Sequence, residues 1–101
     1  MEYRVELAPS AREDFRGMLA YIAEDNPMAA RTFGSRVLGQ LKQLRTYPRS
    51  GRIVPEYDNA DMREIIVQPY RIVYRVREKE SLVQVARIWH AARGIPDLPA
   101  K

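Results

Sequence analysis

The stretch that decides the fold runs from residue 62 to residue 90 and reads MREIIVQPYRIVYRVREKESLVQVARIWH. Three runs within it are rich in β-branched and aromatic residues: 62–67, 70–77 and 82–89. The spacers between these runs are short enough for turns between antiparallel strands. The stretch therefore predicts a three-stranded antiparallel meander.

The middle run sorts its side chains onto two faces of the predicted sheet, because successive side chains of a strand point to opposite sides. One face takes Tyr70, Ile72, Tyr74 and Val76, and the other takes Arg71, Val73, Arg75 and Arg77. We expect helices to cover the apolar face and the other face to be rich in arginine.

The sequence before the meander predicts one strand and two helices. Residues 3–8 alternate as a half-buried strand does, and Ser10 with Glu13 has the pattern of a capping box at a helix start. A second helix should begin at Asn26 and Pro27, since Asn is a favoured N-cap and Pro is favoured in the first turn.

The apolar residues of both helices recur every three to four positions, which is typical of one buried face. The first stripe comprises Ala11, Phe15, Met18, Leu19 and Ile22, and the second comprises Ala30, Phe33, Val37, Leu41 and Leu44. Gly34 and Gly39 are costly within a helix, so we expect a close helix approach at both.

Residues 52–61, with Pro55, Asp58 and Asn59, predict a connecting loop. The element order is then strand, helix, helix, strand, strand, strand. This order predicts an α+β two-layer sandwich, with a helical hairpin packed on an antiparallel-rich sheet. We expect a single domain over residues 1–93 and a C-terminal tail over residues 94–101, with little order from residue 91 onwards.

The charge balance points to an anionic partner. The 101 residues include 17 Lys and Arg against 13 Asp and Glu, for a net charge of +4, and all but three of the 17 are arginine. Arginine pairs bidentately with phosphate or carboxylate, so nucleic acid or an acidic protein would fit. The arginines expected to bind such a partner are Arg63, Arg71, Arg75, Arg87 and Arg93. For each one taken alone, a solvated position or a surface ion pair is the simpler interpretation.

Several classes of chemistry are disfavoured by what the sequence lacks. It has no cysteine and one histidine, so we expect no cofactor and no metal site. It shows no glycine-rich nucleotide loop and no nucleophile elbow. Charged residues near the N-terminus and the lack of a long apolar run predict a cytoplasmic protein without a membrane partner.

One combination could carry catalysis. Metal-free RNA cleavage needs a base, a cation for the charge on phosphorus, and an acid for the leaving oxygen. Glu56, Arg71 and His90 could fill these roles if the fold brings them together. The simpler interpretations are a solvent-exposed Glu56 and a structural His90 beside Trp89.

Short motifs along residues 3–93 resemble the RelE/ParE toxin superfamily of bacterial type II toxin–antitoxin modules. The motifs are Asp25-Asn26-Pro27, Ala29-Ala30, Tyr47-Pro48, Gly51-Arg52, Val54-Pro55-Glu56, Arg63-Glu64, the run from Tyr70 to Val76, and His90-Ala91-Ala92-Arg93. The resemblance implies the same sandwich fold and a toxin neutralised by an acidic antitoxin segment that wraps over it.

The resemblance also implies two possible targets. RelE-like members cut messenger RNA in the ribosome, and Glu56 and His90 match the acid–base pair of the YoeB-like branch. ParE-like members poison DNA gyrase, and the ending His90 to Arg93 is close to theirs. Ala91 stands where the nuclease branch has a functional tyrosine, and its lysine-rich strand is represented only by Arg63. We therefore expect a ParE-like gyrase inhibitor, with a RelE-like endoribonuclease as the alternative.

Overall fold

The computed structural model describes residues 2–98. The helices are α1 (Pro9–Asp25) and α2 (Pro27–Gln43), and the strands are β1 (Arg4–Leu7), β2 (Arg52–Ile53), β3 (Met62–Val67), β4 (Tyr70–Arg77) and β5 (Leu82–His90). Single 3-10 turns follow β4 (Glu78–Glu80) and β5 (Ala91–Arg93). Within residues 2–98, no helix is both long and apolar enough to span a membrane.

The five strands form one mixed sheet in the order β1-β5-β4-β3-β2. β3, β4 and β5 pair antiparallel as the predicted meander, and β1 pairs parallel with the outer side of β5. The predicted α+β sandwich is confirmed. The expectation of a plain loop over residues 52–61 is wrong at its start, because Arg52 and Ile53 form β2 against Glu64 and Arg63.

The two helix starts differ. Asn26 caps α2 as predicted, since its side chain accepts a hydrogen bond from the Ala29 N–H. The predicted capping box of α1 is wrong: the N-cap is Ala8, without a side-chain hydrogen bond. The Ser10 hydroxyl instead donates to the carbonyl oxygen of Ala86 on β5, 2.8 Å away. A tertiary contact with the sheet has replaced the local one.

The helix-facing side of the sheet holds the main core. Leu44 from the chain just after α2, with Ile72 and Tyr74 from β4, is fully buried in this cluster. Gly34 confirms the predicted close approach, because a Cβ there would lie 3.1 Å from the Leu19 side chain. Gly39 does not, since among residues 2–98 no atom beyond its chain neighbours and the backbone of its own helix lies within 4 Å of a Cβ built there.

A β-bulge in β5 decides which side chains reach the other side of the sheet. The register pairs Val73 with Arg87 but Tyr74 with Val85, so Ala86 has no partner of its own. An extra residue shifts the alternation by one position. Arg87 and Trp89 therefore lie on the side opposite to Val85 and the main core.

We call that opposite side, which carries Arg71, Val73, Arg75, Arg87 and Trp89, the second face. It is partly covered by the chain itself. Val54, Met62 and Val73 form a small buried cluster there, with Tyr57 and Leu98 packed against it.

The C-terminal segment contributes to this cover. Pro96 is buried, and its carbonyl oxygen accepts a hydrogen bond from the Tyr57 hydroxyl at 2.8 Å. The expectation of little order from residue 91 is wrong up to residue 98, because residues 91–93 form a 3-10 turn and Pro96 and Leu98 pack on the sheet. Residues 99–101 lie outside the described part of the chain. The domain boundary at residue 93 stays a prediction.

Candidate functional site

Arg71 is the centre of the charged part of the second face. Its side chain is 10% exposed, and the Nε–H donates to Glu64 Oε1 at 2.6 Å. Its two Nη atoms donate to Glu56, at 2.7 Å for Nη2 to Oε1 and 3.1 Å for Nη1 to Oε2. Two carboxylates therefore hold this guanidinium, one on each side.

Glu64 links Arg71 to a second arginine. Its carboxylate is fully buried, and Oε2 accepts from the Nε–H of Arg52 on β2 at 2.6 Å. A buried carboxylate is costly unless its charge is paired and its oxygens are hydrogen-bonded. We call Arg52, Glu56, Glu64 and Arg71 the charge cluster; its formal charges sum to zero.

The pairing stabilises the charged forms within this cluster. The Arg71 hydrogen bonds hold the pKa of Glu56 below its usual value, while burial works in the opposite direction. The pKa of Arg71 is raised, chiefly by its hydrogen bonds to Glu56 and then to Glu64. Glu56 is therefore ionised at neutral pH, with both oxygens directed to the arginine.

Arg87 forms a separate pair on the same face. Its Nε–H and Nη2–H donate to the two carboxylate oxygens of Asp14 on α1, at 2.7 and 2.8 Å. Asp14 also accepts from the Ile88 N–H at 3.0 Å. The hydrogen bonds to Asp14 raise the pKa of Arg87. This ion pair ties the first helix to the last strand.

Two guanidinium groups lie over the ring of Trp89. The Arg87 guanidinium carbon lies 4.6 Å from the ring centroid, and that of Arg93 lies 3.9 Å from it. Arg93 has no carboxylate partner among residues 2–98, and neither has the half-buried Arg75. Arg75 and Arg93 are the second-face arginines available to an external anion.

Arg63 lies elsewhere. Its cross-strand partner is Tyr74, which places it on the helix-facing side of the sheet. There it donates to the backbone carbonyl oxygens of Arg49, Gly51 and Ala60. Gly51 is required at this corner, because a Cβ there would approach the Glu64 carbonyl oxygen to 2.6 Å.

His90 is also on the helix-facing side. It pairs across the strands with Tyr70, and the two rings meet edge to face at 5.1 Å. Its Nδ1 accepts a hydrogen bond from the Ala92 N–H at 3.1 Å. Glu56 and Arg71 are therefore in contact on the second face, while His90 points to the other side.

The second face is more than the arginine-rich surface that the sequence predicts. Val54, Tyr57 and residues 96–98 lie over part of it. Arg71 and Arg87 are each neutralised by carboxylates of the same chain. Like-charge repulsion among these arginines is therefore largely relieved without a partner.

Sequence reasoning missed Glu64, Arg52 and Asp14 as members of these clusters. Glu64 carried a usable signal, since it stands between Met62 and Ile66 on one face of an apolar strand. A carboxylate in that position needs a cationic partner on a neighbouring strand. Asp14 gave no such signal, because it lies on a helix with several other charges.

A cavity of about 430 Å³ opens beside the charge cluster. It is lined by Arg52, Glu56, Ile66, Gln68, Pro69, Arg71 and Ala91. His90 is absent from this lining. An anionic group in the cavity could reach the Arg71 Nη atoms once the Glu56–Arg71 pair opens.

Comparison with known proteins supplies the family. Residues 5–95 match the family described as the ParE toxin of the type II toxin–antitoxin system parDE. Toxin RelE1 of Caulobacter vibrioides is 30% identical over 92 residues, which cover 89% of this chain and 95% of that protein.

Solved structures share the fold at lower identity. A chain of the chromosomal ParDE TA system from P. aeruginosa has a TM-score of 0.69 at 18% identity, with 88% of this chain and 96% of that chain covered. The RelBE2 toxin–antitoxin complex from Mycobacterium tuberculosis gives a TM-score of 0.65 at 21% identity, with 89% and 99% covered. A mutant of E. coli toxin RelE in the free state gives 0.69 at 18% identity, with 93% and 88% covered. The chain belongs to the ParE toxin family of type II toxin–antitoxin systems, within the RelE/ParE superfamily.

Proposed function

We propose that this toxin acts by binding DNA gyrase and blocking replication, without catalysing a reaction itself. The observation that carries the proposal is the position of His90, which lies on the opposite side of the sheet from Glu56 and Arg71. An acid and a base that act on one phosphodiester must both reach it. The match to the ParE toxin family supports the same choice.

The proposed contact with gyrase uses the unpaired arginines of the second face. Arg75 is half-buried between Met62 and Gln84, and Arg93 is stacked on Trp89. The Trp89 ring holds the Arg93 side chain in place and half-burial restricts that of Arg75, while both charges stay available. Such arginines lose little side-chain entropy when they bind an anionic surface.

An antitoxin is the second proposed partner. The similar structures include toxin–antitoxin complexes, among them the RelBE2 complex from Mycobacterium tuberculosis. We propose that the antitoxin of this chain supplies an acidic segment to the second face, in the cytoplasm where gyrase works. The net charge of +4 favours an acidic partner.

The direct test is a supercoiling assay with purified gyrase and relaxed plasmid. We expect the chain to inhibit supercoiling and to accumulate cleaved plasmid after detergent and protease treatment. Arg75→Gln should lower the potency several-fold, whereas Lys79→Gln, which removes one charge in the turn after β4, should not. Full supercoiling at saturating folded chain would refute the gyrase proposal.

A ribosome-dependent mRNA endoribonuclease is the alternative, and one contact favours it. Glu56 and Arg71 are the general base and the phosphate-holding residue of this hypothesis, and Glu56 Oε1 lies 2.7 Å from Arg71 Nη2. The relative from Caulobacter vibrioides also bears the name RelE1. In this alternative His90 would be the general acid and Arg63 would help to hold the phosphate.

His90→Asn separates the two functions. Asparagine keeps an acceptor for the Ala92 N–H but cannot act as a general acid near neutral pH. Loss of a general acid should reduce cleavage of ribosome-bound mRNA about a hundredfold or more. Under the gyrase proposal, the variant should inhibit supercoiling as the wild type does.

A further inference from the structure

We propose that an antitoxin carboxylate replaces Glu56 as a partner of the Arg71 guanidinium. In the free toxin Glu56 fills the position that this carboxylate takes in the complex. The inference rests on the proposed function insofar as the partner is an antitoxin. It adds the site of exchange and the chemical group that enters it.

The two carboxylates on Arg71 are held very differently. Glu64 belongs to β3, is fully buried and also binds Arg52. Glu56 belongs to the segment between β2 and β3, and its side chain is 28% exposed. Of these two ion pairs, only the one with Glu56 can separate without displacing a strand of the sheet.

The space beside this side suits an acidic side chain. The cavity of about 430 Å³ places Ile66, Pro69 and Ala91 next to Arg71. Ile66 is 43% exposed, so apolar surface is available at the rim. An incoming Asp or Glu could pack its methylene groups here and pair its carboxylate with the Nη atoms of Arg71 in the bidentate geometry that Glu56 now has.

The charge balance favours one carboxylate over a nucleic-acid backbone. With Glu56 turned away, Arg52, Arg71 and Glu64 leave one net positive charge. A single carboxylate restores neutrality. A nucleic acid would bring more than one phosphate towards this single net charge and towards the partly negative Gly94 carbonyl oxygen, which lies 3.5 Å from Arg71 Nη1. The further phosphates would have no compensating charge in the cluster.

The test uses the full chain and a defined probe, N-acetylglutamate N-methylamide, which carries one carboxylate. Its binding is measured by calorimetry and by the arginine side-chain NMR signals. Removal of the internal competitor by Glu56→Ala should tighten probe binding up to about fivefold, because the Nη atoms of Arg71 are then always free to bind a carboxylate. Glu56→Gln, which keeps the side-chain volume, should tighten it in the same direction.

Asp61→Asn is the matched control, because Asp61 is a carboxylate of the same segment that pairs with Arg49 instead. It should bind the probe as the wild type does. Arg71→Lys in the Glu56→Ala background should remove the gain.

The inference would be overturned if folded Glu56→Ala and Glu56→Gln proteins bound the probe no better than the wild type. A gain in probe affinity that survives Arg71→Lys would also overturn it. So would a dinucleotide monophosphate that binds Glu56→Ala more tightly than the probe does. The last outcome would assign the site to nucleic acid. These measurements need no gyrase. A chain that binds the probe as expected but leaves supercoiling intact would therefore refute only the proposed function.

Discussion

The two faces of the sheet are buried by different means. On the helix-facing side, Leu44, Ile72 and Tyr74 are fully buried under α1 and α2 in an apolar cluster. On the second face, burial is shared between a small apolar cluster and the charge cluster, in which Glu64 is fully buried against Arg71 and Arg52. Apolar packing is non-directional, whereas charge pairing depends on each partner being present. We therefore expect the helix-facing side to set stability and the second face to be the one that a ligand can rearrange.

The largest expected effect comes from the helix-facing side. Leu44→Ala should lower the free energy of unfolding by about 2 to 5 kcal/mol, because it removes a fully buried side chain and leaves a cavity. Leu38→Ala is the control, since Leu38 on α2 is 54% exposed. Urea denaturation measures both. Equal losses for the two variants would mean that the helix-facing cluster is not the main core.

The next largest effect is expected when the charge cluster loses its buried carboxylate, Glu64. Glu64→Gln should lower the free energy of unfolding by about 3 kcal/mol, because Arg71 loses its fully buried charge partner. Glu56→Gln should cost about 1 kcal/mol or less, since Glu56 is partly solvated. Urea denaturation of both variants tests the difference. A greater loss for Glu56→Gln would contradict the division between a fixed and an exchangeable carboxylate.

Loss of the ion pair between Asp14 on α1 and Arg87 on β5 should have a smaller effect on stability. Asp14→Asn should cost about 1 to 2 kcal/mol, because it removes the charge that Arg87 pairs with while keeping one acceptor oxygen. Glu13→Gln, one position earlier and exposed, is the matched control. Thermal unfolding followed by circular dichroism compares them. Indistinguishable midpoints would mean that the Arg87 pair adds nothing to stability.

The smallest effect is a pH dependence on the second face. The folded-state pKa of Glu56 is below its usual value, so its pairing stabilises the fold above the unfolded pKa of about 4.3. That contribution is lost as the pH falls through the lower, folded value. The stability difference between the wild type and Glu56→Gln should therefore shrink from pH 6 to pH 3 in urea titrations. A difference that stays constant or grows towards pH 3 would rule out this linkage.

The sequence by itself determined the local elements. The bounds of β3 and β4 follow the apolar runs at residues 62–67 and 70–77 to the residue, and the Asn26 cap of α2 was readable. Period-2 and period-3.6 patterns record which side of an element is buried, and this information lies within a few neighbouring residues. The same alternation placed Arg71 and Arg75 on the second face.

Only the tertiary structure decided how distant segments meet. Simple alternation from Val83 and Val85 would place Arg87 and Trp89 on the helix-facing side. The bulge at Ala86 places both on the second face instead. Parallel pairing of β1 with β5, the Arg71–Glu64 pair and the packing of residues 94–98 likewise join residues far apart in the chain or on different strands. Local periodicity carries no register between strands, so the partners of a buried charge emerge only when the strands are aligned. For the same reason the sequence could propose Glu56, Arg71 and His90 as one site, while strand alignment separates His90 from the other two.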